Sequence, residues 1–198
     1  MPRPSHGRPR WWILGLCLAQ SLGSIAVEAA EEFQMFRRPL VIPERGSVPS
    51  YVLRTPGRGF SFLPPPNWRL KENAVNREVV MMAPTLATSI RFKIVEIKPD
   101  SLPGEGRARW RKEILEKYPG ARITAEFPCY TSSLGGTAFD LGRGGTNQGR
   151  ISTRLAFIPL PGGRIEFNLT TPRGKLAEHD FAFANLLTSF HLEPEAAH

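Results

Sequence analysis

Apolar and polar residues alternate along this chain with two different periods, and the switches between them mark out its elements. Residues 89–97 alternate at period two, with Ile90, Phe92 and Ile94 on one face and Arg91 and Lys93 on the other, which predicts a strand. The apolar register then slips to Val95 and Ile97, which predicts either a bulge or a covered second face. Phe60 and Phe62 begin another strand that stops at Pro64-Pro65-Pro66, because proline cannot continue a ladder. Residues 78–82 read as a short strand ended by Pro84. Residues 122–130 and 137–141 flank a turn at 132–136. The clearest hairpin pairs residues 152–158 with 164–170 around Pro161-Gly162-Gly163. Leu155 and Phe157 share a side of its first arm, and Ile165, Phe167 and Leu169 share a side of its second.

Two segments change to helical spacing. In residues 107–118, Trp110, Ile114 and Tyr118 recur every four positions, and Leu115 widens the stripe. Glu113 and Lys117 stand at i,i+4 as an ion pair, and Pro119-Gly120 ends the helix. Residues 176–188 form the second helix, with Phe183, Leu186, Leu187 and Phe190 as a stripe facing the core. Strands joined by short turns pair antiparallel, and two amphipathic helices have to cover sheet faces. The expected class is therefore α+β, an antiparallel sheet sandwiched by two or more helices.

The compact part is expected to run over residues 59–192, with 193–198 as a frayed tail. Residues 30–58 mix Pro, Arg and Gly without a sustained period, which predicts a linker or loosely attached arm. Within it, Val41-Ile42 and Tyr51-Val52-Leu53 are the candidates for short edge strands.

The N-terminus reads as a secretory signal over residues 1–29. Arg3, Arg8 and Arg10 precede a mostly apolar stretch from Trp11 to Val27, and Val27-Glu28-Ala29 offers small residues at the cleavage positions, giving a mature start at Ala30. The alternative is a retained membrane anchor, which Gln20, Ser21 and Ser24 weaken. Cys17 follows Leu14-Gly15-Leu16, a poor match to a lipidation site, and no Arg-Arg pair marks a twin-arginine route. Processing leaves Cys129 as the only cysteine, so no internal disulfide is expected. The apolar setting Phe127-Pro128-Cys129-Tyr130 predicts a buried, inert thiol.

Composition excludes some classes. With 41% hydrophobic and 22% charged residues, global disorder and a multi-span membrane protein are both ruled out. The 19 Pro and 18 Gly are aperiodic, so the chain is loop-rich rather than collagenous. The signal holds three Arg and one Glu, so its removal takes the formal charge from +8 to +6. That excess either favours anionic envelope surfaces or merely solubilises the chain. Nucleic acid is disfavoured by the export signal and by the lack of a basic run interleaved with aromatics.

Phe60-Ser61-Phe62-Leu63-Pro64 followed by Pro66-Asn67-Trp68 resembles the opening strand and Pro-x-x-Trp turn of PsbP-like domains. Phe183-x-x-Leu186-Leu187-x-Ser189-Phe190 is similar to the last helix of that superfamily running into its terminal Ser-Phe. The resemblance spans about residues 59–192. It implies an α/β/α sandwich and accessory or binding roles rather than catalysis, and it carries over no site.

Catalytic templates fail one after another. There is no Gly-x-Ser-x-Gly. His179 and Asp180 are adjacent, but consecutive helical residues point about 100° apart, so Asp180 serves the helix N-terminus instead. His179 and His191 lie too far apart in sequence for a metal motif, and no cofactor is expected. The loop at residues 142–150 approaches a phosphate loop in spacing but lacks its Lys, its Ser/Thr and a following helix. Arg143, Arg150 and Arg154 are the candidate contacts to an anion or partner there. Asn168-Leu169-Thr170 matches a glycosylation sequon but falls inside a strand.

The expected function is an exported, non-catalytic binding or accessory module of the cell envelope. Its partner would be an envelope protein or an anionic envelope surface. Two alternatives stay open: a hydrolase with a dispersed site using His179 or His191, and a structural protein tethered by an uncleaved N-terminus.

Overall fold

Eleven strands pair antiparallel throughout, in a computed structural model that describes residues 33–44, 46–96, 106–143 and 151–193. In chain order they are β1 (Gln34–Ile42), β2 (Gly46–Thr55), β3 (Arg58–Phe62), β4 (Arg69–Asn73), β5 (Glu78–Met82), β6 (Ser89–Glu96), β7 (Ala121–Tyr130), β8 (Gly135–Arg143), β9 (Ile151–Leu160), β10 (Gly163–Pro172) and β11 (His191–Glu193). Helix α1 (Gly106–Lys117) precedes β7, and α2 (Asp180–Thr188) precedes β11 after a 3₁₀ turn at Ala177–His179. Four strands form one sheet in the order β1-β2-β3-β11, and seven form another in the order β4-β5-β6-β10-β9-β8-β7. The class is α+β and mostly β. The signal segment at residues 1–29 lies outside the described residues.

The central strands are apolar on both faces, and that divides the core in two. On β9, Ala156, Ile158 and Leu160 join a large cluster with Leu53, Phe60, Phe92, Ile165, Phe167 and the α2 residues Phe183, Leu186 and Leu187. The alternate residues Leu155 and Phe157 join Phe139, Leu141 and the α1 residue Ile114 in a second cluster. Phe190, just past α2, stands at the centre of the large cluster. Its ring centroid lies 5.4 Å from Phe60, 5.8 Å from Phe62, 5.3 Å from Phe92 and 5.4 Å from Phe167. It therefore joins β3 of the small sheet to β6 and β10 of the large one.

The motifs at the two ends of the domain have definite structural work. Trp68 N–H donates to Pro65 O at 3.2 Å, closing the turn, and its ring meets His179 edge-on. Ser189 Oγ accepts from Leu63 N–H at 3.0 Å and donates to Leu186 O at 2.8 Å, fastening the end of α2 to the end of β3.

Three expectations need correction. Residues 34–55 are not a linker: β1 and β2 pair from Gln34↔Arg54 to Ile42↔Gly46, and Val52 and Leu53 are buried. The prolines fit because Pro39 and Pro49 oppose each other on the outer half, where β3, paired only from Tyr51 onward, supplies no second neighbour. Of the two readings of the slip at Val95, the covered second face holds: β6 pairs in unbroken register with β5 and β10, and Val95 is partly buried. The register shift is in β7, between Ile123 and Ala125. Leu115 does not widen the α1 stripe, being 49% exposed. Glu193 is not frayed, because it pairs with Gly59 in β11.

Candidate functional site

Helix α1 does not lie on a purely apolar face. Alternation on β10 sends Ile165, Phe167 and Leu169 into the large core, so Arg164, Glu166 and Asn168 face the α1 side. A cleft of about 80 Å³ lies there, lined by these residues, by Arg91 and Lys93 of β6, and by Glu113, Lys117 and Tyr118 of the α1 region.

Arg164 organises it. Its Nε and Nη2 donate to Glu166 Oε1 at 2.9 and 2.6 Å, and Nη2 also reaches Glu113 Oε2 at 2.5 Å. The guanidinium stacks 5.0 Å from the Phe157 ring centroid, so its flat face is covered while its edge is hydrogen-bonded. Glu166 Oε2 in turn faces Lys93 Nζ at 3.3 Å and Lys117 Nζ at 3.8 Å. Arg109 Nε donates to Glu113 Oε1 at 2.9 Å. The Glu113–Lys117 pair expected from spacing is thus replaced by two pairs that cross between helix and sheet. The reason is that Arg164 offers Glu113 a buried partner, and such pairing outweighs a solvated i,i+4 contact.

Burial by itself pushes the Glu113 carboxyl up, but Arg164 and then Arg109 outweigh it and hold that group below its ordinary value of 4.5. Glu193 is held down as well, first by the hydrogen bond from Arg38, 2.7 Å away, and then by one from Ser61. A carboxyl with a depressed native pKa contributes stability that is complete above its unfolded value and is lost as pH falls through the native one. The urea midpoint is therefore expected to stay level down to about pH 5 and to fall below 4.5. Glu113→Gln and Glu193→Gln chains should show a shallower acid limb, which urea titrations at stepped pH would read.

Of the three arginines expected to contact an anion or partner, Arg154 is already paired. Arg154 faces the large core, where Nε and Nη2 clasp Asp140 Oδ1 and Oδ2 at 2.6 and 2.9 Å. Its Nη1 reaches Asp180 Oδ1 at 2.6 Å, and the group lies 4.8 Å from the Phe127 ring centroid. Hydrogen bonding to Asp140 leads the causes that raise its pKa further. Arg154 therefore joins β8, β9 and the first turn of α2. Arg143 ends β8 in the ladder, opposite Ala121, and Arg150 lies outside the described residues.

His179 and Asp180 diverge, as adjacent helical positions require: Asp180 meets Arg154, while His179 Nε2 lies 3.0 Å from Thr88 Oγ1. Thr88 Oγ1 also lies 3.0 Å from Thr171 Oγ1. Cys129 is buried, and that burial pushes its thiol up to about 11. In a Cys17→Ser chain, a thiol reagent at pH 8 should leave the folded protein unmodified and label Cys129 fully in denaturant. Labelling of the folded chain at the denatured rate would contradict this burial. Among the described residues, no group of three or more His, Cys, Asp or Glu is placed to hold a metal ion. No helix among them is long and apolar enough to cross a membrane.

No protein-family model matches the chain, and no curated protein matches it. Among solved structures, cyanobacterial PsbP (CyanoP) from Synechocystis sp. PCC 6803 superposes with a TM-score of 0.52 at 16% identity, covering 68% of this chain and 86% of that one. The fold is PsbP-like. LpqN, described as involved in cell envelope biogenesis of Mycobacterium tuberculosis, gives a TM-score of 0.49 at 15% identity, covering 86% of this chain and 97% of that one. The Ran-binding protein Mog1p of Saccharomyces cerevisiae gives 0.42 at 12% identity, covering 80% and 96%. Within this PsbP-like frame, the Trp68 turn and the Ser189 clasp are the physical content of the two sequence motifs.

Proposed function

We propose that this chain is an exported, non-catalytic accessory module of the cell envelope, built as a PsbP-like α/β/α sandwich. In this reading α1 covers one face of the seven-stranded sheet, and α2 with the small sheet covers the other. The separate clusters around Ile114 and around Phe183, Leu186 and Leu187 support that layering.

One observation carries the functional reading: the side chains best suited to chemistry are already committed to structure. The Cys129 thiol is buried and held near 11, and His179 is engaged by Thr88 and Trp68. Arg154 and Arg164 are each clasped by two carboxylates. Among the described residues, no buried side-chain polar atom is left without a partner. A reaction centre needs the opposite, groups held ready at the expense of pairing. The signal-like N-terminus and the PsbP-like fold support the envelope and accessory parts of the reading.

Affinity capture of the full-length chain, expressed with its own N-terminus, tests it. Envelope extracts should yield a reproducible partner or lipid fraction at low and moderate salt, and recovery of neither would overturn the reading.

A further inference from the structure

The outer half of the β1–β2 hairpin keeps apolar residues where no core requires them. Residues opposite one another in an antiparallel pair share a face, so Phe36↔Val52, Leu40↔Val48 and Ile42↔Gly46 all look away from the core that Leu53 and Phe60 enter. Phe36 is 39% exposed and Leu40 40%, while Val41, on the reverse face, reaches 75%. Val52 and Ser50 are buried on the outward face, but Phe36 and Leu40 beside them stay open to solvent and gain little from packing there, so these two side chains call for another explanation.

The charges beside them are mostly basic. Arg38 and Arg54 share the outward face, with the Arg54 guanidinium 5.1 Å from the Phe36 ring centroid, while Arg37 lies opposite Tyr51 on the reverse face with Val41. Glu193 is the acidic side chain paired across that face, to Arg38. The apolar residues lie in a line along one flat sheet face, and not in a recess that would seat an anchor from a partner protein.

We infer that this face of the hairpin lies flat on an anionic lipid bilayer. Phe36, Leu40, Ile42 and Val48 enter the boundary between headgroups and acyl chains. Arg38 and Arg54, on the same face, meet lipid phosphates. Apolar burial and electrostatic attraction then add, as they do for interfacial amphipathic helices. Flat contact also keeps the turn carboxylate of Glu44 at headgroup level, where tip-first insertion would drive it into hydrocarbon.

This inference rests on the export reading only for the bilayer it supplies. Failure of export is read from the mature N-terminus, and failure of the contact from the hairpin itself. The test is hydrogen exchange of the whole chain, followed on peptides from residues 34–55, with and without vesicles. Vesicles containing phosphatidylglycerol should slow those amides by about tenfold, and pure phosphatidylcholine vesicles should not. High salt, the pair Leu40→Glu with Val48→Glu, and the pair Arg38→Glu with Arg54→Glu should each abolish the effect. Unchanged protection of β10 peptides shows that each variant is folded. Hairpin amides indifferent to anionic vesicles would overturn the inference, as would equal slowing by neutral vesicles. So would slowing that follows protein concentration without lipid, the mark of a second copy.

Discussion

Phe190→Ala should lower the free energy of unfolding by about 3–5 kcal/mol, the range for emptying a large aromatic side chain from a packed core. The site cannot collapse easily, because four rings from three strands of two sheets converge on the vacated space. All four neighbours, Phe60, Phe62, Phe92 and Phe167, are 0–1% exposed, so solvent has no short route in to fill it. Domains of ordinary size have only about 5–15 kcal/mol in total, so the variant should sit at the edge of folding. Urea unfolding should show a lower midpoint at an unchanged slope, since the surface exposed on unfolding is nearly the same. A loss below about 1 kcal/mol would mean that Phe190 does not join the two sheets.

Arg164→Leu is the second large effect, again about 3–5 kcal/mol, but for an electrical reason. The Arg164 side chain is 10% exposed and that of Glu166 is 11%, so deleting the guanidinium leaves a carboxylate poorly solvated and short of its main donor. Lys93 and Lys117, at 3.3 and 3.8 Å, compensate only in part. Adding Glu113→Gln and Glu166→Gln to Arg164→Leu should recover most of the loss, because the uncompensated charge goes with them. Arg164→Lys should recover less, since an ammonium cannot make the two-pronged contact with Glu166 and Glu113 while stacking on Phe157. If the triple variant is no more stable than the single one, packing of the arginine stem on Phe157 dominates, and the electrostatic account fails.

Much of the large sheet was legible before any coordinates. β9, β10 and α2 fall within a few residues of their sequence bounds because each has one face fully committed to the core, and that commitment is what periodicity records. The outer half of β1 and β2 was obscured for the converse reason. With both faces in solvent, nothing imposes alternation, and Pro39 and Pro49 read as breakers although they sit where a ladder tolerates them. β4 carries the sequence Arg-Leu-Lys-Glu-Asn, with Leu70 as its single apolar residue, so an edge strand passes for a loop.

The charged cleft was hidden by its own regularity. Arg164, Glu166 and Asn168 look like the solvent face of a half-buried strand, and only the cross-strand partners show that α1 lies over them. A sequence signal did exist: β10 alternates Arg-x-Glu-x-Asn against Arg-x-Lys on β6, and the adjoining helix carries the acceptor Glu113. Charge order of that kind marks a polar face that is covered. Among the arginines expected as anion contacts, Arg154 shows the same logic in reverse. Spacing brought Arg154 to mind as an anion contact, but its strand parity points it at Asp140 and Asp180.

The proposed envelope role depends most on export of a chain that begins after the signal-like segment. Intact mass of the protein recovered from the producing cell, with fractionation of that cell, tests this directly. The predicted result is a species starting at or near Ala30 outside the cytosol. A chain retaining residues 1–29 in the cytosolic fraction would contradict it.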